Sequence, residues 1–341
     1  MARVGLFQIK GWEADYLKSK LEAAGFEVDI FETEVEKSEI SDFSKYQAIS
    51  VFVGSSINKE VIDKFSNLKL ITTRSTGFDH IDLNYARSKN IALGYVPNYG
   101  ENTVAEFAMG LILTLSRKLY LGIDRIKEGG EFSFEGLEGF DLKGKTLGVV
   151  GAGRIGRHVI KMAKGFDMRV IAYDRNPKPE LAQELGFEYV SYDDLLKESD
   201  IITFHVFYAP ETHHMFNKNC LEKVKKGVII INTARGPVIE TEALVLGLQK
   251  GIIGGAGLDV LEEEGVLKDE QGFWMRSLEE ESLKTNLRVL LENHLLFRMP
   301  NVVVTPHNAF NTREAKMRIL DTDFANISSF FEKGMVQFPI P

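Results

Sequence analysis

The sequence predicts an α/β protein built on doubly wound parallel sheets, and three observations carry that prediction. Short apolar runs alternate with helical stretches along nearly the whole chain, the pattern of strands joined by crossover helices. A glycine-rich turn, Gly151-Ala152-Gly153-Arg154-Ile155-Gly156, stands between one such run and one such helix. The chain has 341 residues, 44% hydrophobic and 26% charged, which suits ordinary cores and about two domains.

In order, Arg3–Ile9 reads as a strand and Glu13–Ala24 as a helix ending at Gly25. Glu27–Phe31, Ala48–Val53, Leu68–Thr73 and Ala92–Val96 read as strands, with Asp82–Lys89 a helix before the last. From Asn102 to about Lys127 one long helix is expected, with Thr103 as its cap and Glu106 completing a capping box. Its apolar residues Val104, Phe107, Ala108, Leu111, Ile112 and Leu115 follow helical spacing and predict core or interface packing. Residues 129–144 read as a glycine-rich loop.

A second series follows. Thr146–Val150, Arg169–Asp174, Ile201–Val206, Val228–Asn232, Gly254–Val260 and Asn301–Thr305 read as strands. Arg154–Gly165, Pro179–Leu185, Glu240–Gln249 and Thr312–Lys333 read as helices, and Gly265–Arg298 as a charged, mostly helical stretch.

Composition removes several classes of function. With 41 Lys+Arg against 49 Asp+Glu the formal net charge is -8, so a general nucleic-acid binder is not expected. The single cysteine, Cys220, excludes a disulfide within the chain and zinc sites of several cysteines. No long apolar run precedes Lys10, so no secretory signal is expected. Val104–Leu121 is interrupted by Glu106, Arg117 and Lys118, so no membrane span is expected. The expectation is a soluble cytoplasmic protein.

Two phosphate-loop patterns nearly coincide. Gly139-Phe-Asp-Leu-Lys-Gly144-Lys145-Thr146 fits G-x-x-x-x-G-K-[ST], but it opens a strand, whereas a triphosphate loop must open a helix. Gly151–Gly156 follows a strand and opens a helix. Its first glycine permits the tight turn, its second lets the backbone approach a pyrophosphate, and its third lets helix and strand pack closely. The helix N-terminus then faces the phosphates. Asp174 closes the next strand, 18 positions after Gly156, where an acid binds ribose hydroxyls and repels a 2′-phosphate. That favours NAD over NADP, although Arg175 beside it could hold such a phosphate.

Three further strand ends carry candidate chemistry. Arg235, after Ile229-Ile-Ile-Asn-Thr-Ala, can hold a carboxylate through two parallel hydrogen bonds. Asp259 and Glu264 follow the next strand, in an acid run that on its own reads as a solvated face. His307 follows the last strand, and histidine is the usual proton shuttle. His80, His158, His205, His213, His214 and His294 show no metal spacing and read as structural or solvated, so no metal is expected.

These residues together resemble the D-isomer-specific 2-hydroxyacid dehydrogenase family, especially its D-lactate dehydrogenase-like branch, over nearly the whole chain. Ser75-Thr76-Gly77-Phe78-Asp79-His80-Ile81-Asp82 is similar to the family's substrate-side loop. Val96-Pro97-Asn98-Tyr99 and Thr103-Val104-Ala105-Glu106 are similar to its hinge and interface helix. Gly151–Gly156 with Asp174, Asn232-Thr233-Ala234-Arg235-Gly236, Asp259 with Glu264, and Pro306-His307 are similar to its cofactor, arginine, glutamate and histidine motifs. The chain departs at Phe207, where members often carry proline.

The resemblance implies a Rossmann NAD domain, residues 102–307, inserted in a flavodoxin-like substrate domain, residues 1–101 and 308–341, with the active site in the cleft between. It implies pairing through the NAD domain, as a homodimer. It implies reversible reduction of a 2-oxo acid, foremost pyruvate, to a D-2-hydroxy acid. Arg235, Glu264 and His307 would be catalytic. Thr76, Gly77, Tyr99 and Phe310 would contact substrate. Thr103, Gly151, Gly153, Arg154, Ile155, Gly156, Asp174, Val206, Thr233, Ala234 and Asp259 would contact NAD. Hydroxypyruvate or glyoxylate reduction, and an NAD-sensing interaction module of corepressor type, stay open at this point.

Overall fold

The computed structural model describes residues 1–268, 270 and 284–341. The chain divides into two compact units, Met1–Gly100 with Asn311–Pro341, and Glu101–Phe310.

The first unit holds β1 (Arg3–Phe7), β2 (Glu27–Phe31), β3 (Ala48–Val51), β4 (Leu70–Thr73) and β5 (Ala92–Gly94). They form one parallel sheet in the order β2-β1-β3-β4-β5, which is the flavodoxin-like winding. Leu17 and Leu21 of helix Gly11–Ala23 and Leu320 and Ile327 of helix Arg313–Lys333 cover one face over Val4, Leu6 and Leu70. Ile49, Ile71, Ile62 and Ile81 build the core of the other.

A buried ionic cluster closes the carboxyl ends of β1, β3 and β4. The Arg74 guanidinium donates to Ser50 Oγ (2.6 Å), Phe7 O and Gln8 O, and Asp323 accepts from Ser50 Oγ (2.7 Å) and the Thr72 hydroxyl. Burial pushes the Asp323 carboxyl up, while the Arg74 charge and the two hydroxyls pull it down. Such a group is tolerable only when charge and lone pairs find partners. The cluster fixes the backbone from which Ser75–Gly77 departs.

The second unit holds β6 (Thr146–Val150), β7 (Arg169–Tyr173), β8 (Glu188–Tyr189), β9 (Ile201–Phe204), β10 (Val228–Asn232), β11 (Ile253–Leu258) and β12 (Val302–Val304). They form a parallel sheet in the order β12-β11-β10-β9-β6-β7-β8. From β8 to β11 this is the Rossmann winding, with β12 added at the edge. The two-residue β8 and the helix Tyr192–Glu198, capped by Ser191, carry too short a pattern to stand out in sequence.

The expected helix over 102–127 is in fact two, Glu101–Ser116 and Leu119–Gly129. The Ser116 carbonyl, needed by the next turn, instead accepts the Phe140 N–H at 2.8 Å, and Lys118 turns into the left-handed region at φ +49. Thr103 lies buried inside the first helix and is not its cap, and Glu106 accepts from the Asn102 amide at 3.1 Å. Helix Leu119–Gly129 buries no side chain, and beyond it Phe132 and Phe134 are 95% and 90% exposed. Of the stretch expected to be helical over 265–298, residues 264–268 and 284–298 are helix, and 269 and 271–283 lie outside the described residues. Among the described residues no helix is long and apolar enough to cross a membrane.

Two histidines are held neutral. Burial lowers His205 to about 3 and His80 to about 4, each with Nε2 on a threonine hydroxyl (Thr203, 2.9 Å; Thr73, 3.1 Å). Their folded values lie below the unfolded value near 6.5, so below pH 6.5 the unfolded chain binds more protons. Stability is complete above that pH and falls on acidification towards pH 4. For His205 the slope is about 1.4 kcal/mol per pH unit. Urea midpoints at pH 7.5 and 5.0 should differ, and His205→Gln should flatten the difference. Equal acid sensitivity in both proteins would remove His205 as a cause.

Candidate active site

The glycine loop sits where β6 ends and the helix Arg154–Gly165 begins. Gly151 has φ +95, and a Cβ there would come within 2.9 Å of the His205 carbonyl. A Cβ on Gly156 would collide with the Gly151 carbonyl, so this glycine sets the close approach of helix and loop. Gly153 is different: a Cβ on it would meet nothing within 4 Å, and as N-cap it gives the helix no side-chain cap. The loop therefore presents open space in front of uncapped N–H groups, the arrangement that takes a phosphate.

Asp174 braces this loop. Its carboxylate accepts from Ala152 N at 2.9 Å and Asn176 N at 2.8 Å, which leaves lone pairs on both oxygens. Arg154 lies 3.9 Å from Glu101, and Ile155 and Val206 are half-buried against the core. Phe207 is 77% exposed, so the departure there changes the surface and not the packing.

The next three strand ends lie side by side, since Asn232 pairs with Leu258 and Leu258 with Val304. After β10, the Asn232 side chain closes a turn by accepting from Ala234 N (3.0 Å) and donating to Arg235 O (3.0 Å). Thr233 is buried, and its hydroxyl has no hydrogen-bond partner among the described residues. The Arg235 guanidinium donates to Ala234 O at 2.8 Å and makes no ion pair among the described residues. Gly236 must be glycine, because a Cβ would collide with Leu261 O. The arginine turn thus packs directly on the backbone that leaves β11.

After β11, the buried Asp259 takes three polar contacts. It accepts from Thr305 Oγ1 (2.5 Å), Asn308 N (3.0 Å) and Ala309 N (2.8 Å). Burial nonetheless pushes its carboxyl above the usual range. Asp259 thereby anchors both sides of His307, an organising role that local sequence does not reveal. The loop needs that anchor, since His307 sits at φ +52, where a side chain costs backbone energy. Glu264 opens a short helix, accepts from Leu261 N at 3.2 Å, and lies 2.8 Å from His307 Nδ1 through Oε2. The pair is half-buried, and the contact fixes the Nδ1 tautomer and leaves Nε2 for proton transfer.

A cavity of about 640 Å³ adjoins this pair, lined by Leu267, Phe297 and Val304 as well as Glu264 and His307. Of the residues expected on the substrate side, Thr76, Gly77 and Tyr99 belong to the first unit and Phe310 to the second. Thr76 Oγ1 donates to Val96 O (2.8 Å), Ser75 Oγ to Gly77 O (2.6 Å), and Arg318 Nε to Tyr99 O (2.6 Å). Among the described residues no group of three or more His, Cys, Asp or Glu could hold a metal ion.

Comparison with known proteins agrees with this geometry. The family described as D-isomer specific 2-hydroxyacid dehydrogenase, NAD binding domain, matches residues 109–309. A 2-hydroxyacid dehydrogenase homolog of Zymomonas mobilis is 35% identical over 96% of both chains. D-lactate dehydrogenase of Escherichia coli is 34% identical over 97% of both. The crystal structure of Aquifex aeolicus D-lactate dehydrogenase, complexed with NAD and lactic acid, superposes with a TM-score of 0.82 at 35% identity, covering 98% of each chain. The glycine loop, the open space at Gly153 and the unpartnered Thr233 hydroxyl fit NAD. The chain belongs to the D-isomer-specific 2-hydroxyacid dehydrogenase family and is an NAD-dependent oxidoreductase.

Proposed function

We propose that the protein catalyses reversible reduction of pyruvate to D-lactate with NADH. The observation that carries the reading is the row of three neighbouring strand ends, with Arg235 on one and the bonded Glu264–His307 pair on the other two. They follow strands of the sheet whose β6 opens the glycine loop. The similarity to D-lactate dehydrogenase of Escherichia coli supports the choice of acid.

In this reading Arg235 holds the substrate carboxylate through its guanidinium, helped by backbone at Thr76 and Gly77. His307 gives a proton from Nε2 to the carbonyl oxygen, and Glu264 orients its ring through Nδ1. NADH supplies the hydride when bound. The N–H groups after Gly151 receive its phosphates, Asp174 its ribose, and Thr103, Val206, Thr233 and Ala234 line the remainder. Asp259 contributes by holding the His307 loop. Tyr99 and Phe310 shape the pocket for the acid's side chain. Residues 1–100 with 311–341 act as the substrate domain and 101–310 as the NAD domain. The protein works in the cytoplasm as a homodimer, for which the unburied Leu119, Ile123 and Ile126 and the exposed Phe132 and Phe134 supply an apolar surface. Light scattering should give twice the chain mass, and Ile123→Glu should lower it.

The deciding assay follows NADH absorbance with pyruvate, phenylpyruvate, hydroxypyruvate and glyoxylate. Pyruvate should give the highest kcat/KM, and a clear preference for hydroxypyruvate or glyoxylate would replace this reading. Turnover of none would return the corepressor-type module, against which the intact Arg235, Glu264 and His307 argue. Asp174→Ala should raise the NADPH-to-NADH ratio of kcat/KM about tenfold, since an acid there repels the 2′-phosphate. An unchanged ratio would assign selectivity elsewhere.

A further inference from the structure

Within the acid run after β11, Glu263 is exposed but Glu262 is not a solvated residue. Glu262 has a side chain only 11% exposed, and both its carboxylate oxygens are engaged. Oε1 accepts from His214 Nε2 at 2.6 Å, and Oε2 accepts from the Thr241 N–H at 2.7 Å and its hydroxyl at 2.6 Å. Its main-chain carbonyl accepts from the Asn293 amide at 2.9 Å. Its own N–H lies against Gly236, close enough that a Cβ on Gly236 would come within 2.5 Å.

His214 is tied in turn. Its N–H donates to Pro237 O at 2.8 Å, its ring stacks on His213 at 3.9 Å, and its backbone is left-handed at φ +49. Pro237 is two residues beyond Arg235, and Glu262 two residues before Glu264. One carboxylate therefore joins the loop after β9, the helix start after β10 and the turn after β11. The segments it joins are those that carry Arg235 and Glu264.

We propose that Glu262, held by His214 and Thr241, is a positioning residue that sets the separation of Arg235 from the Glu264–His307 pair. Neither Glu262 nor His214 touches substrate or moves a proton in the reaction. Losing the brace lets the Arg235 turn and the Glu264 turn drift apart. A misplacement of about 1 Å in such a constellation costs up to about a hundredfold in rate. The inference rests on the assignment of Arg235, Glu264 and His307 to the chemistry, not on which acid is reduced.

The test uses the full-length protein and the 2-oxo acid that the wild type reduces fastest. A different preferred acid would therefore show in the wild type alone, while the brace is read from ratios of variant to wild type. Glu262→Gln replaces one accepting oxygen with a donor, and His214→Leu removes the ring donor. Both should lower kcat/KM about ten- to a hundredfold, by raising KM for the oxo acid and lowering kcat together. NADH affinity, read by fluorescence titration, should stay within about twofold, because the glycine loop is not joined by this brace. His214→Gln, which restores an N–H donor, should recover at least threefold over His214→Leu. The exposed side of His214 makes its two variants the readout if Glu262→Gln does not fold. The proposal is overturned if both His214 variants lose the same amount. It is equally overturned if they lower the melting temperature while kcat and KM at 25 °C stay within twofold of wild type.

Discussion

Alanine in place of His307 should lower kcat for 2-oxo acid reduction by about 10²–10⁴-fold and leave NADH affinity nearly unchanged. The expectation follows from how the loop is built. Asp259 holds main-chain N–H groups of Asn308 and Ala309 and the Thr305 hydroxyl, none of which belongs to the His307 side chain. Deleting the imidazole therefore removes the proton donor and leaves its platform in place. Alanine at φ +52 adds strain, so His307→Asn, which tolerates the left-handed region better, serves as the control. Single-turnover absorbance and a fluorescence titration with NADH measure the two quantities. Turnover within threefold of wild type in either variant would move the proton donor to another group.

Arg235→Lys should lower kcat/KM about 10²–10³-fold, and Arg235→Ala further, chiefly through KM for the acid. Truncating one partner of a desolvated, hydrogen-bonded charge pair costs about 2–5 kcal/mol, and a lysine keeps the charge but not the two parallel bonds. The turn should survive, because Asn232 closes it through Arg235's main-chain carbonyl and Ala234's N–H. Binding of an unreactive 2-oxo acid analogue, measured calorimetrically with NADH present, isolates the clamp from the chemistry. Equal analogue affinity in wild type and Arg235→Ala would place the anion site elsewhere.

What the sequence makes legible follows from range. Strand β6, the glycine turn and the helix after it are adjacent in sequence, so local pattern is enough to define them. The helix break at Lys118 is set by Phe140, which takes the Ser116 carbonyl from 24 residues away, and no helical periodicity contains that information. β8 is two residues long and emerges only because β7 offers an edge. The same distinction governs the site. Arg235 and His307 stand out because they end apolar strands, and Asp174 because its spacing is mechanistic. Asp259 and Glu262 look alike on paper, as acids after a strand. Their work differs because one meets the Thr305–Ala309 loop and the other meets His214 and Thr241, residues 21 to 50 positions away.

The arginine, the glutamate, the histidine and the glycine loop all lie within one uninterrupted stretch, residues 101–310. Thr76, Gly77 and Tyr99, which address the substrate in our reading, lie outside it. Inheritance of the reaction and inheritance of its preference are then separable along the chain. Swapping residues 1–100 together with 311–341 for those of a relative amounts to changing the question put to the enzyme while keeping the machinery that answers it. A lineage could in this way acquire a new acid by exchanging the whole first unit through two junctions, near Gly100 and near Asn311, with no mutation in the proton-donating or charge-holding residues.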